Sequence, residues 1–236
     1  MRKNSILRAL FVVSLVIVRF AYSDASEPEP RADEVLQFEI LLATNGTKTL
    51  YYRDHRGEFQ IRPPSRTRSN TRHQYRNKSP ILFYEKITDP EGKLIERIVA
   101  EVEFEKKQEE ILIILHPFDQ EWSRCRAIVL DDSKKAFPGD HLKALNISVY
   151  DVQVLINGES IGLQPKDEKS IKIKASLGYV NWRIAAKLKD QWQLVRAAST
   201  QFLEGMRQII IVNVDVSNKT KPRLDIFTLY DRVRAN

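Results

Sequence analysis

The basic residues between positions 62 and 78 are the part of this sequence best suited to binding a ligand. Guanidinium groups hold phosphate or sulfate groups through paired hydrogen bonds. We therefore predict that this stretch, called here the Arg-rich segment, is a long loop or projecting hairpin that contacts an anionic polymer. The alternative is a solvated loop whose charges only keep it soluble. The candidate anion-binding residues are Arg62, Arg66, Arg68, Arg72, Arg76 and Lys78, with Tyr75 as the candidate aromatic residue.

The positive charge of the chain is concentrated around the Arg-rich segment. The formal net charge is +7, from 38 basic and 31 acidic residues. Residues 1–23 hold four of the basic residues and no acidic one, which leaves 34 basic against 31 acidic residues in the remainder. Residues 53–78 contain eight basic residues, against Asp54 and Glu58. The pattern is that of a local basic segment on a near-neutral protein.

The sequence contains a serine motif of hydrolases, but in the wrong setting. Residues 158–162 (GESIG) match the G-x-S-x-G nucleophile elbow, which needs a helix after the serine and a histidine later in the chain. All four histidines precede Ser160. The pair Asn157-Gly158 predicts a tight β-hairpin here instead, because both of its positions tolerate a positive φ.

No other pattern in the chain predicts catalysis or a cofactor. The four histidines lack the regular spacing of zinc ligands. A Gly-rich phosphate loop is also missing from the sequence. We therefore predict a non-enzymatic protein with no catalytic residue, no metal site and no cofactor.

The single cysteine and the tryptophans are predicted to be structural. Cys125 has no second cysteine to pair with, so its setting in an apolar strand predicts a buried, inert thiol. A reactive thiol assisted by Arg124 and Arg126 is the alternative. For Trp122, Trp182 and Trp192, strand alternation predicts core packing rather than stacking on sugars. Asn-x-Ser/Thr sequons occur at Asn45, Asn77, Asn146 and Asn218.

Residues 180–214 contain three successive strand patterns. Apolar and polar residues alternate with a period of two over residues 180–188, and Lys189-Asp190 then provides a turn. A second alternation follows around Trp192, and residues 209–212 form a continuous apolar run. Such a run is typical of a strand that is buried on both faces.

A similar succession of strands occurs about a hundred residues earlier. Residues 81–87 alternate, residues 89–92 (DPEG) provide a turn, residues 94–104 alternate again, and residues 111–115 form an apolar run. This repetition predicts two related lobes. The predicted fold class is all-β, with two tandem β-sandwich lobes of the immunoglobulin-like type. One larger continuous sandwich is the alternative.

The start of the chain predicts export. Arg2, Lys3 and Arg8 precede an apolar stretch at residues 9–18, which is too short to span a bilayer, and small residues follow it. We expect a periplasmic or secreted protein with no transmembrane helix in the mature chain. The predicted organisation is a signal peptide (1–23), a disordered lead-in (24–34), a first lobe (35–130), a linker (131–140) and a second lobe (141–236).

Several short motifs resemble an uncharacterised family of exported bacterial all-β proteins. They are Pro80-Ile81-Leu82-Phe83-Tyr84, Val99-Ala100-Glu101-Val102, Phe137-Pro138, Asn146-x-Ser148, Ile156-Asn157-Gly158, Leu163-x-Pro165 and Trp192-x-Leu194-Val195. The resemblance covers most of residues 80–213. It implies a β-architecture and no chemistry, because no activity is assigned to that family.

The sequence therefore predicts a non-enzymatic envelope protein that acts as a binding or assembly module. The Arg-rich segment is its predicted contact surface, and the partner is an anionic polysaccharide, a lipid headgroup or another envelope protein. A periplasmic assembly factor or chaperone of the two-sandwich type is the alternative, since such a factor offers an edge strand to its client. An exported hydrolase is the third possibility.

Overall fold

The computed structural model describes residues 35–69, 71–119, 121–174, 178–215 and 223–233. All of the helix or strand structure in these residues is β-strand, and the sixteen strands form four sheets of four strands each. The predicted all-β class is confirmed. The predicted signal peptide, the lead-in and the sequon at Asn218 lie outside the described residues. None of the described residues belongs to a helix of the length and apolarity that a bilayer crossing requires.

The first eight strands form one lobe. They are β1 (Leu36–Leu42), β2 (Leu50–Asp54), β3 (Gly57–Ile61), β4 (His73–Tyr75), β5 (Ile81–Thr88), β6 (Leu94–Val102), β7 (Glu110–Pro117) and β8 (Cys125–Asp131). Their inner sheet has the order β4-β1-β7-β8 and their outer sheet the order β3-β2-β5-β6.

The last eight strands form the second lobe. They are β9 (His141–Asn146), β10 (Val152–Ile156), β11 (Glu159–Leu163), β12 (Glu168–Lys172), β13 (Tyr179–Leu188), β14 (Gln191–Gln201), β15 (Met206–Asp215) and β16 (Arg223–Arg232). The inner sheet has the order β12-β9-β15-β16 and the outer sheet the order β11-β10-β13-β14.

The two lobes have the same topology, strand for strand. In each inner sheet the first and seventh strands of the lobe pair in parallel, while the other ladders are antiparallel. A register shift falls in the same hairpin of both lobes, between Phe83 and Tyr84 in the first and between Ile184 and Ala185 in the second. Two β-sandwich lobes related by repetition are therefore confirmed. Immunoglobulin domains pair strands A-B-E-D and C-F-G, and because the order here differs, immunoglobulin-likeness is not confirmed.

The hairpins form where the sequence predicts turns. Asn157 and Gly158 connect β10 to β11 with φ values of 48° and 94°, which is the left-handed conformation that a two-residue hairpin loop needs. Along β13 the even-numbered residues from Val180 to Ala186 are buried. The period of two in the sequence is therefore the period of burial.

Each lobe has its own apolar core between its two sheets. Phe38, Tyr52 and Phe83 meet edge to face at the centre of the first core, with ring centroids 5.4–5.9 Å apart. Trp182 lies in the second core, as predicted, and its indole N–H donates to Thr200 Oγ1 at 3.1 Å. Each sandwich thus buries the side of the sheet that the sequence alternation marks as apolar.

A third apolar core joins the two inner sheets. Leu112 and Ile114 of β7 lie in it together with Ile209 and Ile211 of β15, and all four are buried. The neighbouring residue Ile113 points to the first core instead, and Ile210 points to the second core. The two continuous apolar runs are therefore strands buried on both faces, as predicted. The two sandwiches are stacked through this interlobe core.

The predicted linker between the lobes is solvated only in part, since residues 134–136 are exposed and two other residues are buried. Asp132 and Phe137 are 4% and 1% exposed. Phe137 belongs to the interlobe core. Its ring contacts two cations, with Lys143 Nζ 5.0 Å and the Arg207 guanidinium carbon 5.2 Å from its centroid. Sequence patterns missed this burial because the surroundings of residues 132–140 come from strands distant in the chain.

Candidate functional site

The Arg-rich segment does not project from the molecule. Its first part, residues 62–72, connects β3 to β4 and begins by pairing with the end of β1. The main-chain N–H of Leu42 donates to Pro64 O at 2.9 Å, and that of Arg66 donates to Leu42 O at 2.8 Å. These bonds direct the segment along the first lobe toward the second lobe.

Arg68 is a candidate arginine whose side chain is almost completely buried. Only 7% of its side chain is exposed, and its guanidinium group lies among carboxylates. Its Nε donates to Glu39 at 3.1 Å, both of its terminal nitrogens donate to the Asp132 carboxylate, and Asp231 of β16 lies 3.6 Å away. Protein carboxylates therefore occupy the positions where the sequence hypothesis placed an external anion.

Arg207 of the second lobe completes this ion cluster. Its side chain is 3% exposed. One terminal nitrogen donates to the carbonyl oxygens of Asp132 and Phe137 at 2.9 and 3.0 Å, and the other contacts the Asp231 carboxylate. We call Glu39, Arg68, Asp132, Arg207 and Asp231 the interlobe ion cluster. It contains residues of both lobes and of their connection, so its contacts hold the two lobes together.

The charges of the cluster stabilise one another strongly. Burial by itself would lower the pKa of Arg68, but Asp132 and then Glu39 outweigh burial and raise that pKa. Burial likewise tends to raise the pKa of Asp231, and Arg207 together with Arg68 brings it below its ordinary value. Arg68 and Asp231 are therefore ionised near neutral pH. Removing one partner would leave a buried charge without compensation.

Two further arginines of the segment also bind carboxylates of the protein. Arg66 donates to Asp225 of β16 at 2.7 Å, and its guanidinium carbon lies 5.1 Å from the centre of the Phe227 ring. Arg72 donates to Glu110 of β7 at 2.6 Å. The structure thus brings Arg66 and Arg68 against the second lobe and Arg72 against the first. This arrangement joins structural elements rather than presenting a row of free guanidinium groups.

The remaining candidates do not form one surface with these arginines. Tyr75 lies in the core of the first lobe, and its hydroxyl donates to Pro80 O at 3.0 Å. Arg76 is half-buried, and its main-chain N–H contacts the Asp54 carboxylate at 3.3 Å. Arg62 and Lys78 are exposed. Of the two predicted shapes, residues 62–72 have that of the long loop rather than the projecting hairpin. The candidate aromatic residue, Tyr75, is a core residue.

Two other members of the interlobe ion cluster carry a signal in the sequence. Glu39 is the single charged residue of β1, and Arg207 lies two residues before the apolar run of β15. A charged residue within a strand that is otherwise buried needs a compensating partner. That rule would have singled out both residues, but it could not have told which residue pairs with which.

The edge of β14 is a second candidate site. Among the described residues β14 pairs with β13 alone, so it ends the outer sheet of the second lobe. Trp192 and Leu194 are 52% and 66% exposed on it. The prediction that Trp192 packs in the core is wrong, because Trp192 lies opposite Lys187 on the outer face of the sheet. An uncovered edge strand leaves a row of main-chain hydrogen-bonding groups available to another chain.

The strand in the same position of the first lobe is protected by charge. β6 also ends an outer sheet and also exposes apolar residues, among them Leu94 and Ile98. It carries Glu96, Arg97 and Glu101, however, whereas Arg196 is the only charged residue of β14. Proteins commonly use charged residues on edge strands to prevent pairing with other chains. β14 lacks this protection.

The face of the outer sheet beside β6 is a closed network of charges and rings. Glu58 accepts hydrogen bonds from the Tyr84 hydroxyl at 2.6 Å and from Lys86 at 2.5 Å, and these two donors lower the pKa of Glu58 to about 2. Arg53 donates to Glu58 and lies 4.8 Å from the centre of the Tyr84 ring. The donors and acceptors of this face thus satisfy one another.

The remaining motifs have structural roles. Ser160 lies in the β10–β11 hairpin, so its surroundings are not those of a nucleophile elbow. Burial raises the pKa of Cys125 to about 12, which fits the predicted inert thiol. His116 is buried, and burial together with the charge of Arg126 lowers its pKa. In the described part of the chain, no group of three or more His, Cys, Asp or Glu residues is arranged to hold a metal ion.

The sequon at Asn146 is a corner of the fold and not a surface site. Asn146 is fully buried, and its amide group donates to Tyr150 O at 2.8 Å and to Leu163 O at 3.2 Å. Its oxygen accepts from the main-chain N–H and the hydroxyl of Ser148. The Asn-x-Ser motif thus ties β9 to the start of β10 and the end of β11. Asn45 and Asn77 are exposed.

No protein-family model matches the chain, and no curated protein matches it.

Proposed function

We propose that this protein is a non-enzymatic binding or assembly module of the cell envelope that contacts a partner protein through the free edge of β14. Its export follows from the predicted signal peptide at residues 1–23. The single observation that carries the proposal is the contrast between β14 and β6. Both strands end an outer sheet, but only β14 combines exposed apolar side chains with a nearly uncharged sequence.

The chemistry of such a contact is strand addition. An extended segment of the partner would pair with β14 through main-chain hydrogen bonds, which supply affinity, and side chains such as Trp192 and Leu194 would supply specificity. The stacked lobes suit this role, because the interlobe core and the interlobe ion cluster hold the second lobe on a rigid base. The edge is thus presented in a fixed orientation, which limits the entropy lost on binding.

A protein partner is favoured over an anionic polymer by the state of the Arg-rich segment. Arg66, Arg68 and Arg72 already bind carboxylates of the chain itself. An anionic polysaccharide or lipid headgroup would have to displace those carboxylates to reach the same nitrogens. For Arg68 this would also leave Asp132 and Glu39 as buried charges without a partner, at a cost of about 3–5 kcal/mol.

An assembly factor or chaperone of the two-sandwich type is the second candidate, and the same edge favours it. A chaperone would release its client after strand pairing, whereas an assembly subunit would keep its partner. The lifetime of the β14 contact separates the two functions.

Site-specific crosslinking in the native host tests the proposed function. A photo-reactive amino acid replaces Gln193 on β14 in one variant and Glu96 on β6 in a matched control. We expect a discrete protein adduct from position 193 that is absent at position 96, and we expect Leu194→Lys to abolish it. Equal labelling from both edges, or none from position 193, would contradict the proposal.

A further inference from the structure

We propose that the strand bound at the β14 edge is β14 of a second copy of this chain, in antiparallel orientation around a twofold axis. This inference names the partner and so depends on the proposed function. The self-pairing is inferred from the residues of β14 that lie on the same face of the sheet. Trp192 lies opposite Lys187, and Leu194 lies opposite Ala185, on the outer face of the sheet.

The register shift in the β13–β14 hairpin changes the face pattern along β14. Ala197 and Ser199 lie opposite Arg183 and Asn181, so they are on the same outer face as Trp192 and Leu194. The outer residues are therefore even-numbered before Val195 and odd-numbered after it. In an antiparallel pair, directly opposite residues point to the same face. In a strand with this shift, the residues before Val195 can therefore pair with the residues after Val195 of a second copy, so that opposite residues share a face.

One self-pairing register satisfies the face pattern along the whole strand. It places Trp192 opposite Ser199 of the second copy and Leu194 opposite its Ala197 on the outer face. On the inner face it places Gln193 opposite Ala198 and Gln191 opposite Thr200. The large exposed residues of one copy thus meet small residues of the other. Cross-strand pairs of this kind are the unit of sheet stabilisation.

The charge near the proposed axis does not oppose this pairing. Val195 and Arg196 lie next to the axis, so the two copies of Arg196 approach each other. The Arg196 guanidinium, however, donates to Ile226 O of its own β16 at 2.5 Å. The side chain therefore points toward its own inner sheet, away from the second copy.

The resulting dimer is closed. The two outer sheets would join into a continuous sheet with the order β11-β10-β13-β14 followed by the same four strands reversed. A twofold contact uses the same surface on both copies and leaves no further β14 edge for growth into fibres. The equivalent edge of the first lobe is excluded from such a contact by Glu96, Arg97 and Glu101.

A charge-exchange experiment tests the register directly. One variant carries Leu194→Lys and Ala197→Lys, and the other carries Leu194→Glu and Ala197→Glu. In the proposed register each variant alone places two like-charge pairs directly opposite each other, which destabilises pairing. The control carries Leu94→Lys and Ile98→Lys on β6. Light scattering and native mass spectrometry give the molar mass, and circular dichroism verifies folding.

We expect the wild-type protein and the β6 control to be dimers. We expect each β14 variant alone to be monomeric, with a dimer dissociation constant raised at least about tenfold. An equimolar mixture of the two β14 variants should restore a dimer that contains one copy of each. A monomeric wild-type protein, a dimer that persists in both β14 variants, or a mixture that stays monomeric would each overturn this self-pairing.

The crosslinking experiment separates this failure from failure of the proposed function. A monomeric wild-type protein that forms a position-193 adduct with a different protein would overturn the self-pairing and support the β14 contact surface. A monomeric wild-type protein without any adduct at position 193 would overturn both proposals.

Discussion

The two lobes share the same eight-strand topology, and they differ in two places. In the first lobe, residues 62–72 connect the third strand to the fourth, whereas residues 164–167 make the same connection in the second lobe. The longer connection carries Arg66 and Arg68, which bind Asp225 and Asp132. The additional residues of one lobe thus serve the contact between the two lobes.

The second difference lies in the outer sheets. The first lobe covers its outer face and its β6 edge with paired charges, including Arg53, Glu58, Lys86 and Glu96. The second lobe leaves the β14 edge uncharged except for Arg196. The two lobes thus differ in what they contribute. The loop of the first lobe supplies Arg66 and Arg68 to the lobe contact, and the second lobe carries the nearly uncharged edge.

The largest expected effect comes from removing the buried cation of the interlobe ion cluster. Arg68→Ala leaves Asp132 and Glu39 without their main partner, so we expect a loss of about 3–5 kcal/mol in the free energy of unfolding. Arg62→Ala, on the same connection but exposed, should change it by less than about 0.5 kcal/mol. Urea unfolding measures both, and similar values for the two variants would show that the cluster contributes nothing.

Substitutions of two neighbouring residues of β7 test the interlobe core and the core of the first lobe independently. Leu112 and Ile113 are both fully buried, but Leu112 faces the second lobe. Each change to Ala should cost about 2–5 kcal/mol. Leu112→Ala should also accelerate proteolysis within residues 132–140, because the lobes separate more often. If Ile113→Ala accelerates that cleavage equally, the interlobe core is not a separate contact.

The fold was predictable from the sequence because alternation is a local signal. The paired patterns at residues 81–115 and 180–212 predicted the two lobes, and the continuous apolar runs predicted the strands buried on both faces. The roles of Arg68 and Phe137 were not predictable. Their environments depend on Asp231 and Arg207, which are distant from them in the chain. A polar sequence looks the same whether it is solvated or buried with partners.

The free energy of unfolding should decrease as the pH falls, because of His116. This buried residue of β7 lies against Asn213 of the second lobe. Burial and then Arg126 lower the pKa of His116 in the folded state, so the unfolded chain binds more protons below about pH 6.5. Stability is therefore present above that pH and decreases as the pH falls toward the lowered pKa, by up to about 1.4 kcal/mol per pH unit for one proton.

The variant His116→Gln tests this dependence. Urea unfolding between pH 7 and pH 5 should show a smaller pH slope for His116→Gln than for the wild type. His73→Gln should also reduce the slope, because burial lowers the pKa of His73 as well. The two variants together show how much of the slope comes from each histidine. A wild-type slope that His116→Gln leaves unchanged would rule out the lobe contact as its origin.

The smallest expected effect on stability is at the two edge strands. Leu94 and Leu194 are 63% and 66% exposed, so a change of either one to Lys should alter the free energy of unfolding by less than about 0.5 kcal/mol. Association should respond to Leu194→Lys alone, as measured by analytical ultracentrifugation. Equal weakening by Leu94→Lys would remove the functional difference between the lobes.

Two measurements on residues 24–236 test the role of the Arg-rich segment most directly. One is retention on a polyanion column, and the other is the free energy of unfolding. The wild type is compared with a variant carrying Ala at Arg66, Arg68, Arg72 and Arg76. We predict weak and similar retention of both proteins, with the variant several kcal/mol less stable, about 3 kcal/mol or more. Strong, salt-sensitive retention of the wild type, lost in a variant of unchanged stability, would contradict the account and make the segment a polyanion-binding surface.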